Sequence, residues 1–333
     1  MKAMLCLDYG PPESLVLCEV PSPSPGPGQV AVTIKACGVN FPDVLLIENK
    51  YQYKPPLPFA PGGEIAGIVK SVGEGVTQFK PGDRVIARIG SGGMQEEVAV
   101  DSGRCVAMPD GMDFESASSF ALTYGTSHYA LKDRARLKPG ESLVVLGAAG
   151  GVGLACVELG KLMGARVIAA ASSQDKVDLA RRRGADDGFV YPGGPLSREQ
   201  QREMSERIKV LTGGTGADVV CDPVGGDYSE AAIRAMNWEG RFLVIGFAAG
   251  DIPRIPLNLA LLKSCDIVGV FYGDFAAREA KKNADNLAEL ARWIVAGRIK
   301  PYISARFPLA RAAEAIRMLA DRKAQGKVIV TMD

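Results

Sequence analysis

The order of apolar and polar positions divides the chain into two parts. Up to about residue 113, short apolar segments alternate in part with polar residues and are separated by Pro and Gly, as at 29–37, 64–73 and 83–88. This pattern predicts half-buried β-strands. From about Phe114 onward, continuous apolar runs alternate with helical segments. That alternation predicts a doubly wound parallel sheet, which is an α/β fold.

The second part predicts a regular series of elements. Strands are expected at 143–146, 166–171, 189–191, 217–221, 241–246 and 265–270, and helices at 154–163, 175–183, 197–211 and 274–296. A final apolar strand at 327–330 lies beyond this series. It could return to complete the first domain.

The most informative segment is the strand, turn and helix at 143–163. Its glycine turn, 147–153, keeps Gly150 and Gly153 at the spacing of a G-x-G-x-x-G motif, whereas Ala148 replaces the first glycine. Glycines let the start of a helix approach a pyrophosphate, whose charge suits the unpaired N–H groups there. Because a second parallel strand follows, we predict a dinucleotide site rather than a structural turn alone. Its predicted cofactor-binding residues are Ala149, Gly150, Gly151, Val152 and Gly153.

The end of the second strand bears on which nicotinamide is bound. NAD sites usually carry an acid about 20 residues past the glycine turn. Here the strand runs into Ser172 and Ser173, and no carboxylate follows until Asp175. Hydroxyls and a nearby cation accept a 2′-phosphate that a carboxylate would repel. Ser172 and Lys176 therefore predict NADPH over NADH, although Ser173 could simply cap a helix and Lys176 could simply be solvated.

Composition narrows the function classes. A chain of 333 residues with 47% hydrophobic residues suggests about two domains, and its net charge of +1 gives no support for nucleic-acid binding. No apolar run reaches the roughly 18 residues of a membrane span, and Asp8 comes too early for a signal peptide. The seven scattered cysteines form no C-x-x-C pair. These observations predict a cytoplasmic protein with free thiols and no membrane partner.

Several segments together resemble the medium-chain dehydrogenase/reductase superfamily, and within it the zinc-free NADPH:quinone oxidoreductase, or zeta-crystallin-like, branch. They are CGVNFPD at 37–43, PGGEIAG at 61–67, VGEGV at 72–76, FKPGDRV at 79–85 and AAGGVG at 148–153. The resemblance covers essentially the whole chain. It implies a GroES-like β-barrel catalytic domain at 1–123, completed by about 262–333. It also implies a Rossmann NADP-binding domain at 124–261, with the active site in the cleft between the domains.

The resemblance also implies that no zinc is bound. Zinc alcohol dehydrogenases place a ligand Cys two residues after the Gly of C-G-x-C, and a ligand His in G-H-E. This chain has Asn40 and Gly63 at those positions, and its only histidine is His128. Catalytic zinc normally needs three protein ligands, so Cys37 and Glu64, which remain at motif positions, do not make a site alone. The expectation is a metal-free enzyme.

Hydride from a reduced nicotinamide would then have to reach an acceptor that no metal polarises. Quinones and α,β-unsaturated carbonyls are electrophilic enough for positioning and hydrogen bonds to suffice. The resemblance places three predicted catalytic residues near the acceptor. Asn40 could donate an amide hydrogen bond, Tyr51 could bind the enolate or donate a proton, and Thr126 would lie near the nicotinamide. Rim packing is an equal alternative for Tyr51, and backbone bonding is one for Thr126.

Further expectations rest on the resemblance. It adds cofactor contacts at Tyr191, Gly246, Phe271 and Arg322. It implies a homodimer formed through an edge strand near 267–272, although that strand could equally be internal. Three functions stay open: an NADPH-dependent quinone or enone reductase, an enoyl thioester (enoyl-CoA) reductase, and an NADPH-binding crystallin-like protein without turnover. His128 more often packs than catalyses in such a setting.

Overall fold

The computed structural model describes residues 1–332, which form two compact units. The first unit is Met1–Leu122 together with the chain from Ile294 onward, and the second is Thr123–Trp293. The sequence placed the return to the first domain at about residue 262. In the structure it comes later, because the strand at Asp266–Gly269 pairs within the sheet of the second unit and keeps that segment there.

The strands and helices follow one another along the chain with these bounds. The strands are β1 (Lys2–Leu5), β2 (Val16–Glu19), β3 (Gln29–Val39), β4 (Glu64–Val72), β5 (Arg84–Arg88), β6 (Glu97–Asp101), β7 (Cys105–Ala107), β8 (Ser142–Leu146), β9 (Arg166–Ala171), β10 (Asp187–Val190), β11 (Ala217–Asp222), β12 (Met236–Val244), β13 (Asp266–Gly269), β14 (Ile303–Pro308) and β15 (Lys327–Thr331). The helices are α1 (Phe41–Ile47), α2 (Phe114–Ala117), α3 (Thr123–His128), α4 (Gly151–Leu162), α5 (Gln174–Arg182), α6 (Arg198–Leu211), α7 (Asp227–Arg234), α8 (Asn258–Lys263), α9 (Tyr272–Arg278), α10 (Ala280–Val295) and α11 (Ala312–Ala320).

The first unit is built around one long strand, β3. Within residues 1–332 its main sheet has the order β14-β15-β3-β4-β5-β7, and β6 pairs with the first half of β3. Alternate residues of β3 point into the core, where Val30, Val32 and Ile34 are almost fully buried. The last strand, β15, pairs antiparallel with the end of β3. The two termini of the chain therefore share one core.

The second unit contains the doubly wound sheet that the sequence predicts. In the described part of the chain this sheet has the order β10-β9-β8-β11-β12-β13, and every strand pair in it is parallel. The strand order reverses between β8 and β11. In open α/β sheets the crevice outside the carboxyl ends of the strands at such a point binds ligands. This places the glycine turn, which follows β8, at the switch point.

Two details differ from the pattern along the sequence. The single helix predicted at 274–296 is two helices, α9 and α10, because the backbone at Glu279 leaves the helical region (φ −119°, ψ 53°). A π-helix, Tyr129–Arg134, continues α3. Across residues 1–332, none of the helices is long and apolar enough to cross a membrane.

Candidate functional site

The glycine turn after β8 has a conformation that only glycine suits at two of its positions. Gly147 has a positive φ of 59°, which L side chains rarely adopt. Gly153 lies so close to the turn that a Cβ there would overlap the carbonyl oxygen of Gly147. Gly150, in contrast, has room, since a Cβ there would lie 3.4 Å from the same oxygen. Gly153 is therefore needed for the close packing of α4 against the turn.

The start of α4 provides donors for an anion. Gly150 occupies the N-cap position, and among the described residues no side chain caps the helix there. The helical hydrogen bonds begin with the N–H of Leu154, which donates to the Gly150 carbonyl at 2.8 Å. The N–H groups of Gly151, Val152 and Gly153 precede that bond at the positive end of a 12-residue helix. This arrangement fits the pyrophosphate of a dinucleotide.

The loop after β11 lies against the turn and depends on a residue that the sequence reasoning missed. Asp222 is buried, and its Oδ1 accepts hydrogen bonds from the N–H groups of Val224 (2.8 Å) and Gly225 (2.9 Å). Its Oδ2 accepts one from the Ser229 hydroxyl. Burial raises the pKa of this carboxyl. A Cβ at Gly147 would lie 2.9 Å from Val224 Cγ2, so Asp222 shapes the loop that faces the glycine turn.

The end of β9 brings two predicted phosphate contacts together. The ammonium of Lys176 donates a hydrogen bond to the Ser172 hydroxyl at 3.1 Å, and partial burial lowers the Lys176 pKa. Ser173 is the N-cap of α5 but, within the part of the chain described, its side chain makes no capping bond. Tyr191 is buried, and its hydroxyl accepts a hydrogen bond from the Gly147 N–H at 3.2 Å. Tyr191 thus supports the turn directly.

The remaining predicted residues of the second unit lie on other elements. Gly246 follows β12, where its N–H contacts the carbonyl of Asp222 at 3.4 Å. Phe271 is 58% exposed at the start of α9. Thr126 is buried on α3, and the hydroxyl of its neighbour Ser127 contacts the Val152 carbonyl at 2.9 Å. The last contact holds α3 against the start of α4.

His128, at the end of α3, is fully buried. Its ring meets that of Trp293 edge-on at 5.6 Å between centroids, and its Nε2 lies 3.1 Å from Glu289 Oε2. Glu289 is a carboxylate partner from α10 that the local sequence motif could not reveal. Burial lowers the His128 pKa, which favours the neutral ring.

In the first unit, polar side chains gather where β3 ends and β4 begins. Asn40 is the N-cap of α1, and Asp43 in its first turn accepts hydrogen bonds from the N–H groups of Asn40 (2.8 Å) and Gly62 (3.0 Å). All three lie in the interior of the unit. Complete burial raises the pKa of Asp43 to about 6, even though both N–H groups favour the ionised form.

The amide of Asn40, which the sequence predicts as a donor to the acceptor, is bonded within the first unit. Its amide Nδ2 donates to the Gly38 carbonyl at 3.0 Å and to Glu64 Oε2 at 3.2 Å, so both amide hydrogens already have acceptors. Its Oδ1 accepts from the ammonium of Lys327 at 2.7 Å. An amide satisfied on all sides has no hydrogen left for an oxyanion. Asn40 belongs to a closed buried network instead.

Tyr51 and Arg322 are the other predicted residues of the first unit. Tyr51 is half-buried, and burial, followed by the nearby charge of Asp43, raises the pKa of its phenol. Arg322 is exposed after α11 and adopts a positive φ of 57°. Over residues 1–332, no group of three or more His, Cys, Asp or Glu side chains is placed to hold a metal ion.

Comparisons with known proteins match both units. A family model described as an alcohol dehydrogenase GroES-like domain matches residues 26–110, and one described as a zinc-binding dehydrogenase matches 151–289. The quinone oxidoreductase-like protein 2 homolog of Nematostella vectensis is 37% identical over 332 residues, which cover 99% of this chain and 88% of that protein. The match to this relative covers nearly the whole chain.

Two solved structures share the fold. A mycobacterial protein complexed with NADPH has a TM-score of 0.92 and 31% identity, over 99% of this chain and 100% of its own. The quinone oxidoreductase of Escherichia coli, also complexed with NADPH, has a TM-score of 0.89 and 28% identity, and the match covers 99% of this chain and 100% of that protein. The GroES-like and Rossmann fold classes expected from the sequence are confirmed.

Proposed function

This chain belongs to the zinc-free quinone oxidoreductase branch of the medium-chain dehydrogenase/reductase superfamily, and on that premise we propose that it is an NADPH-dependent reductase. Its acceptor in this proposal is a quinone or another α,β-unsaturated carbonyl. One observation carries most of the weight. The uncapped start of α4 follows a glycine turn, and the next strand ends in Ser172 with Lys176 beside it and no acid at the strand end.

The residues of the second unit have distinct proposed roles toward NADPH. The N–H groups of Gly151, Val152 and Gly153 bind the pyrophosphate, and Ser172 and Lys176 bind the 2′-phosphate. Tyr191 and Asp222 keep the surrounding loops in place through the bonds described above. The remaining proposed contacts are Ala149, Gly246, Phe271 and Arg322. When bound, NADPH supplies the hydride, so the task of this chain is to bind the acceptor, orient it and polarise its carbonyl group.

The proposed role of Tyr51 is to stabilise the oxyanion that forms when the acceptor takes up hydride. A tyrosine phenol is protonated at neutral pH, and burial raises the pKa of Tyr51 further, so its hydroxyl can donate a hydrogen bond. Both amide hydrogens of Asn40 already have acceptors, which favours another group as the donor to the acceptor. Tyr51 is the proposed donor, and the Thr126 hydroxyl is proposed to lie near the nicotinamide.

A substrate panel tests the function. We expect NADPH oxidation with 1,4-benzoquinone and 9,10-phenanthrenequinone, and slower oxidation with simple ketones. Faster turnover of crotonyl-CoA than of either quinone would identify an enoyl thioester reductase instead. Tight NADPH binding without turnover on any acceptor would identify a crystallin-like binding protein.

Tyr51→Phe should lower turnover of an enone by about 10- to 100-fold, because the variant loses the proposed donor while keeping the ring. The affinity for NADPH, measured by titration of the coenzyme fluorescence, should stay the same. Tyr53→Phe is the matched control, since Tyr53 is two residues away and 50% exposed. Equal turnover of the Tyr51→Phe variant and the wild type would remove Tyr51 from the mechanism.

The sheet of the second unit ends in an exposed strand that suits a homodimer. β13 is an edge strand, and Ile267 on it is 40% exposed. Nearby in the sequence, Leu257, Leu261 and Leu262 are each at least 69% exposed. Exposed edge strands and exposed apolar side chains favour association. Light scattering should give twice the mass of one chain, and Ile267→Asp should halve it. Val190→Asp on β10, the opposite edge, should leave the dimer intact.

A cytoplasmic location is part of the same proposal. All seven cysteines, which fall within the described residues, are free thiols in the structure. Free thiols are the normal state in a reducing compartment, where NADPH-dependent reductases also find their coenzyme. Fractionation of the producing cells would test this location.

A further inference from the structure

Lys327, the first residue of β15, is a buried lysine that no part of the proposed function uses. Its side chain is 3% exposed, whereas lysine is almost never this buried unless it is paired. Its ammonium donates to Asn40 Oδ1 at 2.7 Å and lies 3.3 Å from Glu64 Oε2. Glu64 is itself fully buried. The pair therefore puts one positive and one negative charge in the interior of the first unit.

Every polar atom of Asn40 and Glu64 is engaged around this cation. Asn40 donates to the Gly38 carbonyl and to Glu64, as described above, while its oxygen accepts from Lys327. The second oxygen of Glu64, Oε1, accepts from the backbone N–H of Leu122 at 2.8 Å. Leu122 directly precedes α3, the helix that carries Thr126. The network therefore joins β15 to the chain segment that leads into α3.

A second contact holds the same segment. A Cβ at Gly38 would overlap the carbonyl oxygen of Ser118, so the backbone at Ser118, four residues before Leu122, packs directly on the end of β3. Three titratable groups lie around this network: Asp43 on α1 and Cys37 on β3, both fully buried, and Arg88 on β5, which is paired in register with Glu64. Lys327 is the cation whose ammonium lies 3.3 Å from Glu64 Oε2.

We propose that Lys327 is a positioning residue: its ammonium fixes Asn40 and Glu64, and through Glu64 it holds the Leu122 backbone at the entrance to α3. Without Lys327, Glu64 is a buried carboxylate that has lost the ammonium beside it, and such a group rotates away or draws in water. The bond to Leu122 is then lost. The expected effect on turnover rests on the proposed function, whereas the effect on Leu122 does not.

Hydrogen exchange of the Leu122 amide tests the network without any substrate. In Lys327→Met, whose side chain has a similar length and no charge, we expect Leu122 to exchange at least about tenfold faster and the melting temperature to fall by roughly 5–10 °C. The double variant Lys327→Met/Glu64→Gln removes both charges and keeps an oxygen acceptor. In the double variant, the Leu122 amide should again be protected from exchange, and most of the loss in melting temperature should be restored. Lys70→Met, which breaks the ion pair between Lys70 on β4 and Glu97 on β6, is the control. It should change neither the exchange rate of Leu122 nor the melting temperature.

Steady-state turnover is the second test of the role of Lys327. In Lys327→Met we expect kcat with a quinone to fall about tenfold or more, with the Kd of NADPH within twofold of the wild type. The double variant should regain most of kcat. Unchanged Leu122 exchange in Lys327→Met, or a double variant no better than the single one, would overturn the proposal. If the wild-type protein reduces no acceptor, the proposed function fails while the exchange and rescue results still decide the role of Lys327.

Discussion

Replacing Gly153 by Ala is expected to weaken NADPH binding by at least about 100-fold. The added Cβ would overlap the carbonyl oxygen of Gly147, and because that atom is backbone, either the turn or the start of α4 has to move. A shift of this kind misplaces the N–H groups proposed to bind the pyrophosphate. Losing one or two hydrogen bonds to a charged group, at about 1.5–3 kcal/mol each, lowers the affinity by roughly two orders of magnitude. Fluorescence titration with NADPH measures the loss. Overpacking should also lower the free energy of unfolding by about 1–3 kcal/mol.

Gly150→Ala is the matched control within the same turn. Its Cβ would lie 3.4 Å from the same oxygen and its φ is −75°, so the protein without coenzyme should unfold at the wild-type temperature. The contrast isolates close backbone packing from the general effect of adding a methyl group to the loop. Wild-type NADPH affinity in Gly153→Ala would show that the turn is structural and binds no pyrophosphate.

Replacing Ser172 by Asp should reverse the coenzyme preference. We expect kcat/KM with NADPH to fall about 100-fold and kcat/KM with NADH to stay the same or rise. The new carboxylate would repel the 2′-phosphate and would also pair with Lys176, which already donates to the Ser172 hydroxyl at 3.1 Å. One substitution thus removes a hydroxyl contact and neutralises the neighbouring cation. Steady-state kinetics with both reduced coenzymes provides the measurement.

Ser197→Asp controls for the added charge. Like Ser172, Ser197 lies just before a helix: it is the N-cap of α6, a position that Asp suits equally well. It should leave the ratio of the two kcat/KM values unchanged. A wild-type protein that already prefers NADH, or a Ser172→Asp variant that keeps its NADPH preference, would refute the proposed phosphate site.

The local pattern of apolar and polar residues was enough to predict most strands and helices of the second unit. The predicted strands at 143–146, 166–171 and 217–221 correspond to β8, β9 and β11, because buried parallel strands read as continuous apolar runs. The helix predicted at 197–211 is α6, which begins after the capping residue Ser197. The break between α9 and α10 was missed, since a one-residue change in backbone angles leaves the apolar periodicity intact.

The site followed from the sequence only in part. Spacing and residue type identified the glycine turn, Ser172 and Lys176, which are local in the chain. Asp222 carried a weak signal, an acid that ends an apolar run before Pro223 and two glycines. The partner of His128, Glu289, lies far away in the sequence, so no local motif could reveal it.

The sequence by itself determined the fold class, the family and the position of the dinucleotide turn, because each depends on periodicity or on residues within one short segment. Tertiary structure alone decided what the polar residues of the first unit do. Asn40 looked like a hydrogen-bond donor, but Gly38, Glu64 and Lys327 engage its whole amide. Lys327 lies 287 residues from Asn40 along the chain. A buried charge is satisfied by whatever the fold brings to it, and only the packed strands show that partner.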